Sequence, residues 1–416
     1  MILYDKVNSC NTSKIFNFEK KYVTINDDYD TSKYKFNFVV NKNKKWDSFF
    51  IFSKQYFKAS IELYNFCCEY SNINSVIDEL SIPLLYFTRH SIELIMKAFI
   101  IKNVQNGLNK IIECKHSLLQ LIECYKGKVD NELFEEMKKY FDLIDFFDQK
   151  SDLFRYPFNN EFLQLYRNCY FDVLNMTLKM MYYYNCLYKL YSGENYCHFD
   201  DDDLRKIEEV KNKYSGFVIL NNHGFGNCYL WQLYDIDAYK QIEGYILASN
   251  ILWHLIKENK TTDIELPLMY SLRHLIELNM KNIILKVCPL IRDEINQESN
   301  SKLYIGFMRD HELSRRLLKN TNLVMEKLIN IGNWDNELYQ RFKNCISYIN
   351  SFDSDDDYCR YPINKGGTCN NYEKINMQAF CEIFYYCYNL IYSSEFALEE
   401  LNDIAYEMYN EFINNY

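Results

Sequence analysis

The sequence predicts a mainly α-helical protein built from two tandem antiparallel helical bundles with minor short β elements. Three observations carry this expectation. First, 48% of the residues are hydrophobic and 17% aromatic, while only 11 Gly and 5 Pro supply the breakers that an all-β sandwich or barrel needs. Second, 416 residues exceed the usual size of one domain, so two domains of similar length are the natural division. Third, one block of sequence occurs twice.

The block from Ile82 to Lys97 aligns without gaps on Leu266 to Lys281, and both copies share P, L, Y, RH, IEL and MK. His90 and His274 are 184 positions apart, His116 and His311 are 195 apart, and Arg155 and Arg360 are 205 apart. The offset grows because the loops of the second copy carry insertions. Residues 1–195 therefore form the first copy, with a short N-terminal β extension, and 196–416 the second.

Taken in order, a stretch of alternating polarity at Lys35 to Val40 predicts a strand, as does Phe217 to Leu220 before the second copy. Apolar spacing then predicts helices near 46–70, 78–104, 116–126, 131–147 and 161–191. The same order recurs near 230–258, 263–288, 310–331, 335–350 and 373–411. The acidic run Asp200 to Asp203 falls at the junction, where acidic side chains suit a solvated linker or the start of a helix.

A formal net charge of −10 opposes broad attraction to nucleic acid, so a site for RNA must be local, and no DNA partner is expected. Fifteen scattered cysteines without a CxxC pair suit buried thiols better than a disulfide framework or a structural metal, and Cys197 and His198 have no partners at zinc spacing. No cofactor is implied. The glycines around Gly224 to Gly226 and Lys365 to Gly367 suit turns rather than a phosphate loop, and hydrolase, zincin and nucleotide-triphosphatase patterns are absent. With no signal pattern and no long apolar run, the expectation is a cytoplasmic protein with no membrane partner.

The polar residues of the repeat are the candidate site. On a helical wheel Arg89, His90, Glu93 and Lys97 share a stripe about 100° wide on a helix otherwise apolar. Such a stripe faces an internal cleft or a partner, and its charges need partners of their own. The second copy supplies Arg273, His274, Glu277 and Lys281. Each copy adds a histidine at the start of a later helix, His116 or His311, and then an Asp and an Arg near a Tyr-Pro: Asp148, Arg155 and Tyr156, or Asp353, Arg360 and Tyr361. The proline favours an extended conformation in the preceding Tyr and so fixes where the Arg points. Arg89, Glu93 and Lys97 equally make an ordinary i,i+4 ladder of ion pairs, which is a structural reading of the same residues. A histidine is not needed for such a bridge, which directs attention to His116 and His311.

An Arg-x-x-x-Glu-x-x-x-Lys helix, a later His-x-Leu-x-x-Leu and a final Arg-Tyr-Pro, in that order, resemble the HEPN superfamily of helical bundles. Here they are Arg89 to Lys97, His116 to Leu121 and Arg155 to Pro157, then Arg273 to Lys281, a degenerate His311 to Arg316, and Arg360 to Pro362. The resemblance implies bundles of four or five helices that work in pairs, with roles in prokaryotic toxin–antitoxin systems, abortive infection and other RNA-targeting defence. Nuclease members place a His after an Arg with four to six residues between them, and no arginine of this chain meets that spacing. A catalytic set assembled from separate blocks would use His116 or His311 for proton transfer and Arg155 or Arg360 as phosphate clamp, with Arg89, His90, Glu93, Lys97, Asp148 and Tyr156 and their counterparts around the ligand. Two function classes stand side by side. One is a divergent metal-independent ribonuclease or RNA- or nucleotide-binding protein. The other is a non-catalytic module that binds a protein partner such as an antitoxin or nucleotidyltransferase.

Overall fold

The computed structural model describes residues 35–71, 74–156, 170–196, 228–230, 239–285, 317–332, 336–352, 357–364 and 368–414, together with Arg205, Glu209 and Leu313. The mainly α prediction holds. In chain order the elements are β1 (Lys35–Val39), α1 (Lys45–Glu69), α2 (Asn74–Asn103), α3 (Gly107–Cys114), α4 (Leu118–Glu123), α5 (Asn131–Asp148), β2 (Tyr170–Asp172) and α6 (Val173–Ser192). Then follow β3 (Cys228–Leu230), α7 (Tyr239–Lys257), α8 (Glu265–Leu285), α9 (Leu318–Gly332), α10 (Asn336–Phe352), β4 (Asn371–Asn376) and α11 (Met377–Asn414).

The helix starts have identifiable causes. Ser117 caps α4 by accepting from the Gln120 amide, Asp130 caps α5 through the Glu132 and Leu133 amides, and Asp172 caps α6 through Asn175. Asn376 caps α11 through the Ala379 amide at 3.0 Å. Each supplies an acceptor to amides that the helix itself leaves unpaired. Two differences from the sequence expectation stand out. The segment before His116 contains the short helix α3, and residues 373–376, expected at the start of the last helix, belong to β4 instead. There Tyr372 is buried against Phe36, Phe38 and Phe52, and β1 supplies the ladder partner that a lone six-residue segment lacks. The strand expected at Phe217 to Leu220 lies outside the described residues. The β2–β3 pair is antiparallel, with Tyr170 opposite Leu230.

The chain groups into two compact units, and neither is one half of the sequence. The first gathers described residues between 36 and 271 with 360–375; the second gathers those between 272 and 359 with 376–414. In the first unit α2 is the central helix, packed by α1, α6 and α7. Its segment from Leu80 to Ala98 is buried on every side. Pro83 sits inside α2 and lacks the amide that would bond the Glu79 carbonyl. Gly244 of α7 packs at that carbonyl, where an added Cβ would lie 2.1 Å from the Glu79 oxygen, so only a glycine lets the two helices approach this closely. In the second unit α9, α10 and α11 pack on one another.

No described helix is long and apolar enough to cross a membrane. Ten of the described cysteines, Cys67 and Cys114 among them, are free thiols.

Candidate functional site

Within the first unit, α2 places Arg89, Glu93 and Lys97 on one line, one turn apart. Both oxygens of Glu93 are used: Oε2 accepts from Arg89 Nη1, and Oε1 accepts from Lys97 Nζ at 2.6 Å. All three residues are buried. Arg89 is held from a second side by α5, with its Nε 3.3 Å from Asp148 Oδ2 as an ion pair and its Nη2 donating to the Asp148 carbonyl at 3.3 Å. Nη2 also donates to the His116 carbonyl at 2.6 Å, which ties the start of α4 to the ladder. The ladder is thus far from an exposed i,i+4 series, because its charges are desolvated and each has a stated counter-group.

His116 completes the group. Its Nδ1 is 3.0 Å from Glu93 Oε1, and its side chain is 34% exposed, whereas Arg89 and Glu93 are 0% exposed. It is the member of this cluster that reaches solvent. The loop that carries it is anchored by Asp145 of α5, whose carboxylate accepts from the Ser117 hydroxyl at 2.5 Å, the Leu118 amide at 2.9 Å and the Leu119 amide at 3.0 Å. Asp148 does the same for the turn after α5, accepting from the Asp152 and Leu153 amides at 2.7 and 2.9 Å.

The Arg-Tyr segment of the second repeat packs into this site. The Tyr361 hydroxyl donates to Glu93 Oε1 at 2.8 Å and lies 3.0 Å from His116 Nδ1, and Lys97 Nζ sits 4.7 Å from the centre of the Tyr361 ring. Arg360 donates from Nε to the Tyr86 hydroxyl at 3.0 Å and from Nη2 to the Tyr361 hydroxyl at 3.4 Å. The first repeat mirrors this: Arg155 Nε donates to the Tyr270 hydroxyl at 3.2 Å, and its Nη2 to the Tyr156 hydroxyl at 2.7 Å. Tyr86 and Tyr270 occupy equivalent positions in the two copies and stack with centroids 4.8 Å apart. Each repeat's arginine therefore reaches the other repeat's tyrosine. This reciprocal exchange is the pattern of a self-complementary pair about a two-fold axis.

His90, placed in the polar stripe by the helical wheel, turns elsewhere. Its Nε2 donates to the Arg360 carbonyl at 3.1 Å, and its ring is enclosed by Tyr86, Tyr56 and Tyr361. Arg155 and Arg360, expected as phosphate clamps, are 3% and 4% exposed and fully engaged inside the fold. Arg273, Glu277 and Lys281 of α8 repeat the buried ladder at 2.5 and 2.7 Å, and His274 beside them is buried. His311 and Asp353 lie outside the described residues.

The electrostatics follow from these contacts. Burial alone would raise the Glu93 carboxyl, but Lys97, His116 and Arg89 hold it well below the ordinary range, so it is ionised. Burial lowers the His116 imidazole below its usual value against the pull of Glu93, with Lys97 and Arg360 adding to the effect. His116 is accordingly neutral near pH 7. Burial likewise holds His90 neutral. The Asp148 carboxyl is pushed up to about 6 by burial, with Arg89 opposing. Among the described residues no group of three or more His, Cys, Asp or Glu is placed to hold a metal ion.

Four residues escaped the sequence reading: Tyr86, Tyr270, Ser117 and Asp145. The two tyrosines stand inside the repeated block, so their recurrence was a usable signal. Ser117 and Asp145 belong to no repeated pattern. No protein-family model, curated protein or solved structure matches the chain.

Proposed function

We propose that this chain is a tandem HEPN-like protein that binds RNA or another phosphate-bearing nucleotide at His116, and that His116 performs metal-independent proton transfer there. The observation that carries the reading is the exposure pattern of the cluster. A neutral imidazole is the solvent-reaching end of an otherwise buried ionic network, and its inner nitrogen is held by an ionised carboxylate. A carboxylate behind an imidazole fixes the ring and steadies the imidazolium that forms when the outer nitrogen takes a proton. Arg89 and Lys97 bind that carboxylate and Arg360 acts on His116 from close by, so the imidazole has cations beside it on a chain of net charge −10. A place in prokaryotic defence or toxin–antitoxin response, and in the cytoplasm, belongs to the same proposal.

The test is incubation of purified protein with total RNA and transfer RNA in chelator, beside His116→Ala and a His116→Ala, His311→Ala double variant. Loss of a general acid or base lowers the rate by about 10²–10⁴. Cleavage by the wild type that His116→Ala loses supports the reading; cleavage that survives in both variants sinks it.

One observation favours a second reading. Arg155 and Arg360 are buried and donate to tyrosine hydroxyls, a use that locks the two repeats together without any ligand. On that reading the chain is a non-catalytic module that binds a protein such as an antitoxin or a nucleotidyltransferase. Intact RNA in every lane, together with no binding of RNA by the wild type, would favour it.

A further inference from the structure

We propose that Tyr361, contributed by the second repeat, is a positioning residue for His116: it gives its one proton to Glu93, which leaves Nδ1–H facing the carboxylate and Nε2 as the proton-accepting nitrogen. This deepens the reading of His116 as the reactive group and rests on it only for its biological meaning.

The assignment follows from counting protons. Glu93 Oε1 lies 2.6 Å from Lys97 Nζ, 2.8 Å from the Tyr361 hydroxyl and 3.0 Å from His116 Nδ1. An ionised carboxylate only accepts, whereas a phenol has one proton and a neutral imidazole has one N–H. Were Tyr361 to donate to Nδ1, the lone electron pairs of Glu93 and of the phenol oxygen would be left on contacts with no proton between them. With Nδ1 protonated and the phenol donating to Glu93, each of the three contacts of Oε1 contains a proton, and the remaining 3.0 Å approach of Nδ1 to the phenol oxygen can share the Nδ1–H. Arg360 reinforces the choice, because its Nη2 donates to the phenol oxygen at 3.4 Å and turns a lone pair of that oxygen toward the guanidinium. Tyr361 is buried, and burial beside Glu93 raises its hydroxyl well above the ordinary value, so it keeps its proton.

The groups facing His116 are Glu93, Lys97 and Arg89 from α2, Asp145 and Asp148 from α5, and Arg360 and Tyr361 from the segment at 357–364. Among them Tyr361 and Lys97 share with the imidazole the one carboxylate oxygen that attracts a proton to it. Removing the phenol proton from that oxygen concentrates its charge on His116.

The experiment is a ring-nitrogen NMR titration of His116 in the full-length protein, wild type and Tyr361→Phe, with a melting curve for each. The phenyl ring retains the packing against Lys97 and His90, so the fold should persist. In the wild type above the titration, Nδ1 should carry the proton and Nε2 should be unprotonated. In Tyr361→Phe the His116 pKa should rise by about one unit, which is tenfold in the ratio of protonated to neutral imidazole at fixed pH. An Nε2–H tautomer in the wild type, or an unshifted titration in a folded Tyr361→Phe, overturns the proposal. A packing role alone would lower the melting temperature and leave the titration in place. If Tyr361→Phe does not fold, the wild-type tautomer still decides. RNA cleavage is read separately, so intact RNA beside the expected titration defeats the proposed function and leaves this inference standing.

Discussion

The ladder of the first repeat and that of the second share their local geometry: Arg89–Glu93–Lys97 and Arg273–Glu277–Lys281 both bury a glutamate between a cation one turn before and one turn after. Their surroundings differ in sequence where the histidine loop is anchored. The first repeat has Ser117 after its histidine and Asp145 on α5 to receive it; the aligned positions of the second hold Glu312 and Asn350. A serine hydroxyl and two amides fit a carboxylate acceptor, and that set is broken when the carboxylate becomes an amide and the serine a glutamate. The ladder persists where the anchors of the histidine have changed. This separates a ladder present in both repeats from a pair of histidine-loop anchors, Ser117 and Asp145, that the first repeat's sequence carries and the second's does not.

The largest expected effect breaks or upholds that separation. Glu93→Gln and Glu277→Gln each leave a buried Arg and Lys beside a neutral amide, and each should lower stability by about 3–5 kcal/mol in urea denaturation. Equal losses identify the ladder as structural in both copies; a loss confined to Glu93→Gln would tie it to the site.

A smaller effect concerns Asp148, whose folded carboxyl is pushed up to about 6 by burial. Its unfolded value is near 3.9. The folded state thus holds the proton more tightly, and the contribution of Asp148 is fully present below about pH 3.9 and lost as pH rises through about 6. His90 has the opposite sign, since burial lowers it: its contribution is full above about pH 6.5 and fades as pH falls. Asp148→Asn should therefore gain on the wild type as pH rises from 4 to 7, on the order of 2 kcal/mol, in denaturation at several pH values. A difference independent of pH would contradict the assignment.

The smallest effect probes the reciprocal tyrosines. Tyr86→Phe and Tyr270→Phe each remove the hydroxyl that receives an arginine Nε–H and should lose about 1 kcal/mol. Because the two rings stack, the double change should depart from additivity. Additive losses would mean that the two halves of the exchange are independent.

Most helices were legible because apolar periodicity is a local property: the expected 46–70 and 131–147 became Lys45–Glu69 and Asn131–Asp148. The burial of α2 was legible for the same reason, as was the mutual spacing of Arg89, Glu93 and Lys97. The strand at Asn371–Asn376 was not, since its partner strand begins more than 300 residues earlier in the chain. Nor was the direction of His90, which shares the ladder's face on a wheel but turns to the Arg360 carbonyl.

What could be read from the sequence alone was therefore what is set within a few turns of chain: most of the helices, the repeat and the spacing of the ladder inside each copy. Only the tertiary structure decided that Arg360 and Tyr361 enter the first repeat's site, that Arg155 and Arg360 cross to each other's tyrosines, and that His116 alone of its cluster reaches solvent. Those pairings span from 115 to 274 positions. Contacts so distant have no periodic signature, because their geometry depends on how whole helices pack and on which buried charge must find a partner.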